Sequence, residues 1–127
     1  TLPPNKNQTV KTINQIKVSD YKILVLPGGV KAMEKVRQEK RIINFITKFN
    51  EEKKIIACIC SAAQLLISAK IVKGRRIAGY YSMEDDLINA GAIYTDKPAV
   101  IDDNIITTAH YKDMGPWMRE IIKKAES

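Results

Sequence analysis

The sequence predicts an α/β sandwich built around a mainly parallel sheet. Residues 21–26 and 55–59 are nearly continuous apolar runs of strand length, which is typical of strands that are buried on both faces. Each run is followed by a stretch whose apolar residues recur at helical spacing. Strand and helix patterns then alternate to the end of the chain, and this order indicates helices packed against a sheet.

The first half of the chain contains two strand-helix pairs. Residues 1–20 indicate an arm or a poor strand with weakly alternating apolar positions at Val10, Ile13, Ile16 and Val18. The first strand, 21–26, ends at Pro27-Gly28-Gly29, and a helix is predicted over residues 33–49. The second strand, 55–59, runs almost directly into a helix over residues 62–69.

The second half consists of shorter elements. Strands are predicted at 76–79, 92–94, 99–101 and 105–108, and helices at 83–89 and 117–125. Ser82 resembles a helix-capping residue, and Gly91 ends the helix that Ser82 begins. Asp103 lies in a predicted hairpin turn between the last two strands. Pro116 stands in the first turn of the closing helix.

Composition limits the class of protein. A chain of 127 residues that is 45% hydrophobic fits one domain, 1–127, with an ordinary core. The net charge of +7 comes from basic residues interleaved with acids, and only 6% of residues are aromatic, so a solvated surface is favoured over a nucleic-acid interface. No apolar run approaches the ~20 residues that cross a bilayer, and the amino terminus lacks a signal-peptide stretch. We therefore expect a cytoplasmic protein with no membrane or nucleic-acid partner.

The junction of the second strand and its helix, residues 59–62, carries the clearest chemical signal, and we call it the elbow. Cys60 must occupy a tight turn at the carboxyl end of the strand, which is the geometry of a nucleophile elbow with cysteine in place of serine. The amino end of the following helix favours the thiolate without a metal. The alternative is that Cys60 is a small buried core residue, and this alternative is favoured for Cys58. Both cysteines are expected as free thiols, since a disulfide between them would be strained.

The loop that ends the first strand is expected to face the elbow. Ligands of parallel α/β sheets bind outside the carboxyl ends of the strands, where Gly28 and Gly29 lie. The backbone N–H groups of Gly29 and Ser61 can form an oxyanion hole for a tetrahedral intermediate. A Pro-Gly-Gly sequence also forms ordinary turns, so by itself it is weak evidence for a binding site. The expected position of this loop opposite the elbow is what supports that interpretation.

Five segments together resemble the ThiJ/PfpI family of the class I glutamine amidotransferase-like superfamily: 21–29, Ala57-Cys-Ile-Cys-Ser-Ala, 66–76, 85–92 and 117–120. The resemblance implies a flavodoxin-like three-layer sandwich with a mainly parallel sheet and a cysteine-dependent active site, without a cofactor or a metal. Members of the family are described as intracellular peptidases, as glyoxalases or deglycases that act on methylglyoxal and its adducts, or as stress proteins.

The resemblance also implies roles for individual residues. Cys60 matches the nucleophile of the family, Gly29 and Ser61 match oxyanion-hole positions, and Tyr80 matches a tyrosine that lines the site. Glu34 resembles a glutamate that oligomers supply to the active site of a neighbouring subunit. The resemblance therefore implies a homodimer or a higher homo-oligomer.

Three departures from the family change these expectations. Ser61 replaces the histidine that follows the nucleophile in the peptidases, which makes peptidase activity doubtful. Ala109 stands where many relatives have arginine, and its neighbour His110 is a candidate acid or base, although a lone histidine is more often structural. The first strand, helix and second strand of the family have no match. We expect an N-terminally incomplete domain with an open sheet edge and an exposed core face.

Two functional hypotheses follow. In the first, the Cys60 thiolate adds to a small-molecule substrate, as in a glyoxalase, a deglycase or a small-amide hydrolase. In the second, the protein is a non-enzymatic redox or stress-response protein in which Cys60 is oxidised. An intracellular cysteine peptidase is less favoured, and the His-x-Glu pattern of a glutaminase is not present.

Overall fold

The computed structural model describes residues 11–127 as a mixed α/β fold. Its strands are β1 (Ile23–Leu26), β2 (Ile55–Ile59), β3 (Arg76–Ile77), β4 (Ile93–Tyr94), β5 (Val100–Asp102) and β6 (Ile105–Thr108). Its helices are α1 (Val30–Val36), α2 (Lys40–Glu51), α3 (Ala63–Ser68), α4 (Glu84–Asn89) and α5 (Met114–Glu126). None of these helices combines the length and the apolar character that crossing a bilayer requires.

The main sheet has the order β1-β2-β6-β5. Strands β1, β2 and β6 are parallel, and β5 is antiparallel to β6 as the predicted hairpin requires. The register pairs Leu26 with Cys58 and Ile59 with Thr108, so the carboxyl ends of β1, β2 and β6 lie side by side. Strands β3 and β4 form a separate parallel pair. The segments that follow β1, β2 and β6 therefore meet at one edge of the sheet.

Two apolar clusters make the sheet the middle layer of a sandwich. Ile56 and Cys58 of β2 face the cluster that includes the buried side chains of α1 to α4. Ala57 and Ile59 face the opposite cluster, where Trp117 and Ile121 of α5 pack. The Trp117 indole N–H donates a hydrogen bond of 3.1 Å to a backbone carbonyl of β6, which satisfies its one polar group inside the core. Alternating side chains of β2 thus bury both faces of the strand.

Strand β1 is an edge strand, and one of its faces is exposed. Ile23 and Val25 are 36% and 50% exposed, because α5 packs on β2 and β6 and leaves this side of β1 uncovered. The prediction that 21–26 is buried on both faces is therefore wrong for this face. The open edge and the exposed apolar face are those that the sequence analysis expected for this chain folded by itself.

Other local predictions needed correction. The helix predicted over 33–49 is two helices, because Glu39 is extended and its carboxylate accepts a hydrogen bond from the Arg41 N–H at the start of α2. The run of polar residues 37–41 between the apolar residues Val36 and Ile42 was the sign of this break. Ser82 makes no capping hydrogen bond, since it lies inside a 3₁₀ turn that precedes α4.

The predicted arm is also different in detail. It forms two 3₁₀ turns, Ile13–Gln15 and Val18–Asp20, in place of a strand, and Val10 lies outside the described residues. The Lys54 ammonium ties this segment to the core, because it donates hydrogen bonds to the carbonyls of Val18 and Tyr21 at 2.6 and 2.9 Å. The closing helix begins at Met114, three residues earlier than predicted.

A polar network closes the sheet at the end opposite the elbow. The Arg75 guanidinium donates hydrogen bonds of 2.8 and 2.9 Å to the side-chain oxygens of Asn104 and Asn50. The Asp102 carboxylate accepts a hydrogen bond of 2.9 Å from the Arg76 N–H, and this bond and the two arginine charges lower the pKa of Asp102. Charge-assisted hydrogen bonds of this kind fix the hairpin against β3.

Candidate active site

Cys60 occupies a strained turn between β2 and α3. Its φ is 60°, a value that L-residues other than glycine adopt at a cost of about 1–3 kcal/mol. Cys60 begins a 3₁₀ turn, Cys60–Ala62, that leads directly into α3. This is the tight strand-to-helix turn that the sequence predicted, whereas the role of Cys60 as a nucleophile stays a prediction.

The two cysteines lie in different environments. Cys58 is buried in the core under α1 to α4, and this burial raises the pKa of its thiol well above the ordinary range. Cys60 is half-buried and is a free thiol. Its Sγ lies 3.6 Å from the hydroxyl oxygen of Ser61, a buried residue that occupies the second position of the turn. Only Cys60 is therefore placed to react with a molecule from solvent.

Gly28 allows the β1 loop to lie directly against the elbow. A Cβ atom on Gly28 would be 2.9 Å from the Cβ of Cys60, 3.1 Å from the carbonyl oxygen of Ile59 and 3.2 Å from the hydroxyl oxygen of Tyr111. A contact of 2.9 Å is closer than real Cβ atoms tolerate. Gly28 was predicted as a substrate-binding residue, and the structure gives it a spacing role beside Cys60.

Gly29 begins α1 with a φ of 120°, which favours glycine. Its carbonyl accepts a hydrogen bond of 2.9 Å from the Met33 N–H. Its own N–H has no hydrogen-bond acceptor among the residues that the structure describes. A free backbone donor at the carboxyl edge of the sheet is what an oxyanion hole needs. The oxyanion-hole roles of Gly29 and Ser61 stay predictions.

Tyr80 and His110 stand beside the elbow as predicted site residues. The Tyr80 N–H donates a hydrogen bond of 3.2 Å to the Cys60 carbonyl. The rings of Tyr80 and His110 are 6.3 Å apart between centroids. The Nδ1 atom of His110 accepts a hydrogen bond of 3.1 Å from the Lys112 N–H, so the neutral ring carries its proton on Nε2. The Nε2 atom of His110 takes part in none of the hydrogen bonds of residues 11–127.

Glu34 is not brought to Cys60 by the fold of the single chain. It is exposed on α1, and its side chain takes part in none of the hydrogen bonds or ion pairs of residues 11–127. Its backbone carbonyl accepts a hydrogen bond of 2.9 Å from the Gln38 side chain. Its action across a subunit boundary stays a prediction.

Two features of this edge were not predicted from the sequence. Tyr111 follows β6, and its hydroxyl reaches the elbow, although only the neighbouring His110 was named. A polar cleft of about 520 Å³ lies on the other side of Ser61, between α1, α3 and α4, and includes Arg37, Gln64 and Asp86. The signal that could have found Tyr111 is its position directly after a strand that ends at this edge.

Comparison with known proteins assigns this chain to a family. A family model described as the DJ-1/PfpI family matches residues 6–124 of the chain. The chain belongs to the DJ-1/PfpI family. The ThiJ/PfpI resemblance of the five sequence segments is thereby confirmed.

Two DJ-1/PfpI relatives give the extent of the similarity. An uncharacterised protein of Archaeoglobus fulgidus is 46% identical over 112 residues, which cover 88% of this chain and 66% of that protein. The Pyrococcus furiosus protein named deglycase PfpI is 38% identical over 112 residues, which cover 88% of this chain and 67% of that protein. The chain thus spans about two thirds of the length of these relatives.

A solved structure shows the same fold. A protein of Anabaena variabilis that contains DJ-1/ThiJ/PfpI-like and ferritin-like domains superimposes with a TM-score of 0.86 at 28% identity. The match covers 90% of this chain and 32% of that larger one. The predicted flavodoxin-like α/β sandwich with a mainly parallel sheet is therefore confirmed.

Proposed function

We propose that this protein is a cysteine-dependent enzyme of the glyoxalase or deglycase type, in which Cys60 attacks the carbonyl group of a small molecule. The observation that carries the proposal is the strained turn of Cys60, a half-buried free thiol at the carboxyl edge of the sheet. The similarity to a protein named deglycase PfpI supports the reaction class. The flanking N–H groups of Gly29 and Ser61 support carbonyl chemistry.

The first covalent step is the same for the substrates of this class. The Cys60 thiolate adds to an electrophilic carbonyl carbon, a C–S bond forms, and the electron pair of the C=O π bond moves onto oxygen. The N–H of Gly29 and the N–H of Ser61 hydrogen-bond to that oxygen. The Nε2–H of His110, or the carboxyl of Glu34 from a neighbouring subunit, supplies the proton that the adduct takes up.

Ser61 makes peptide cleavage the less favoured reaction. An amide leaving group must be protonated as it departs, and a cysteine peptidase uses a histidine beside the thiolate for this. The Ser61 hydroxyl, 3.6 Å from Sγ, can share a hydrogen bond with the sulfur but does not titrate near neutral pH. A reactive aldehyde needs no such leaving group, which favours a small carbonyl substrate.

A redox or stress-response role is the alternative for the same residue. The half-buried Cys60 is the one cysteine of the pair that an oxidant can reach, because Cys58 lies in the core. Oxidation to the sulfenic or sulfinic acid would place oxygen atoms next to the Ser61 hydroxyl, which can donate a hydrogen bond to them. Such a protein would be modified at Cys60 and would turn over no carbonyl substrate.

Turnover of methylglyoxal by the full-length protein tests the proposal. Replacing the nucleophile in Cys60→Ser should lower kcat/KM by at least about 100-fold. Cys58→Ala is the matched control, because it alters a cysteine two residues away that no substrate can reach, and it should keep activity within about threefold of the wild type. Equal activity of wild type and Cys60→Ser would reject the enzymatic proposal. Absence of turnover together with selective oxidation of Cys60 by hydrogen peroxide would favour the redox alternative.

A further inference from the structure

Tyr111 extends across the end of the strand that carries Cys60. Its hydroxyl oxygen lies 3.2 Å from the position of a Cβ on Gly28, in the loop after β1. Tyr111 itself follows β6, and β2 lies between β1 and β6 in the sheet. A side chain that starts beyond β6 and reaches the β1 loop must therefore pass over the end of β2. Cys60 is the residue at that end.

The Tyr111 ring is held in place, while its hydroxyl is left without a partner. The ring meets the His110 ring edge-on, with 6.4 Å between centroids, and its backbone belongs to a 3₁₀ turn that His110 caps through Lys112. The side-chain hydrogen bonds of this edge involve Tyr94, His110 and Trp117, and none in residues 11–127 involves the Tyr111 hydroxyl. Tyr111 is 46% exposed, so the hydroxyl is free to bind a ligand.

The neighbouring Tyr81 provides a contrast. Tyr81 lies in the 3₁₀ turn before α4, and its ring is 5.4 Å from that of Tyr80. A hydrogen-bonding contact with Tyr81 is the main cause that raises the pKa of Lys112. Tyr81 thus lies beside a cation of the chain. Tyr111 is the tyrosine whose hydroxyl reaches Gly28, the residue that lies against the Cys60 side chain.

We propose that the Tyr111 hydroxyl is a further catalytic group, which donates a hydrogen bond to the substrate oxygen that becomes charged when Cys60 adds. The inference rests on the proposed carbonyl chemistry of Cys60. As the C–S bond forms, the π electron pair moves to oxygen, and the Tyr111 O–H stabilises the resulting alkoxide. The alkoxide then takes up the proton that His110 or Glu34 supplies, a hemithioacetal results, and the proton donor is reprotonated from water.

The Tyr111 hydroxyl adds a donor on the side of the elbow away from Gly29. Gly29 lies in the loop after β1, whereas Tyr111 follows β6, so the two donors reach the elbow from different sides. The oxygen that becomes charged when Cys60 adds can accept hydrogen bonds from both. We therefore expect the loss of the Tyr111 hydroxyl to slow every carbonyl substrate of Cys60, methylglyoxal among them.

The test compares two reactions of the same thiol in the full-length protein. Tyr111→Phe removes only an exposed oxygen, and it should lower kcat/KM for methylglyoxal about 10- to 100-fold. The rate at which iodoacetamide alkylates Cys60 should stay within about twofold, because alkylation expels iodide and forms no alkoxide. Tyr21→Phe is the matched control at the opposite edge of the sheet, and both of its rates should equal those of the wild type.

Three outcomes would overturn the inference. Wild-type turnover in Tyr111→Phe would show that the hydroxyl has no part in catalysis. Wild-type turnover in Tyr111→Phe together with reduced turnover in Tyr111→Ala would show that only the ring matters. A parallel loss of turnover and alkylation in Tyr111→Phe would assign Tyr111 a purely structural role. Full activity of Cys60→Ser would instead reject the function on which the inference rests, whatever Tyr111→Phe does.

Discussion

Replacing Gly28 by alanine should disable the site more than it destabilises the fold. The added Cβ would lie 2.9 Å from the Cβ of Cys60 and 3.1 Å from the Ile59 carbonyl oxygen. Both atoms belong to the elbow and cannot rotate away, unlike the end of a long side chain. The loop and the elbow must therefore separate by several tenths of an ångström or more. Overpacking of this kind costs about 1–3 kcal/mol of unfolding free energy.

The effect on catalysis should be larger, because the Gly29 N–H lies on the loop side of that contact and the thiol lies on the elbow side. A misplacement of about 1 Å can cost about 100-fold in rate. We expect Gly28→Ala to lose at least about 30-fold in kcat/KM for methylglyoxal while it still unfolds cooperatively in urea. Gly115→Ala is the matched control, since a Cβ there meets no atom within 4 Å, and it should keep both activity and stability.

Two results for Gly28→Ala would contradict this prediction. If Gly28→Ala turns over methylglyoxal at the wild-type rate, the β1 loop is not part of the working site. If the variant loses activity only because it unfolds, the spacing role of Gly28 is structural and the close approach to Cys60 has no catalytic meaning. Urea unfolding and turnover, measured on the same preparation, separate these two results.

Three further predictions concern other parts of the molecule. At pH 8 iodoacetamide should label Cys60 and leave Cys58 unmodified, since burial raises the pKa of the Cys58 thiol; equal labelling in the folded protein, read by peptide mass, would contradict this. The full-length protein should sediment as at least a dimer, and Glu34→Gln should keep that state while it lowers turnover; a fully active monomer would exclude a glutamate acting between subunits. Asp102 has a lowered pKa, mainly through the hydrogen bond from the Arg76 N–H, so its stabilising contribution is complete above about pH 4 and is lost as the pH falls further. Asp102→Asn should therefore lower stability at pH 7 and weaken its dependence on pH below 4, and a urea series with the wild-type acid dependence would refute this.

The bounds of the central strands β2 and β6 could be predicted to the residue, whereas the exposure of the edge strand β1 could not. Residues 55–59 and 105–108 are continuous apolar or β-branched runs, and both became strands with the predicted bounds. The outer face of β1 was predicted as buried because its composition is equally apolar. Burial of a strand face depends on what packs against it, and α5 covers only β2 and β6. The sequence of β1 holds no information about the position of α5.

One rule about parallel sheets predicted which residues of the candidate site lie near one another. The carboxyl ends of parallel strands meet at one edge, so the residues after 26, 59 and 108 had to lie near one another. Gly28, Cys60 and His110 were named on this basis, and the structure places them around one turn. Tyr111 was missed because its contact crosses a strand. Only the order β1-β2-β6 shows that a side chain from β6 reaching Gly28 passes over Cys60.

The strain at Cys60 is best understood by comparison with the other turns of the chain. Among the described residues, Lys53, Lys70 and Asp103 are the other non-glycine residues with positive φ, and all three are exposed in helix ends or in the hairpin turn. Solvated turns of this kind bear strain without support. Cys60 is half-buried, and its conformation is fixed by the close packing of Gly28 and by the hydrogen bond from Tyr80.

A glycine at position 60 would relieve this strain and would fit the same turn. A cysteine there costs the fold about 1–3 kcal/mol of strain, against which stands only the packing of its half-buried side chain on the cluster that includes Trp117 and Ile121. What the cysteine adds is a thiol projected from the edge of the sheet between two sets of hydrogen-bond donors. If the thiol has no chemical task, Cys60→Gly should raise the unfolding free energy and leave every activity of the full-length protein unchanged. If Cys60 is the nucleophile, the same variant should unfold at a higher urea concentration and be inactive.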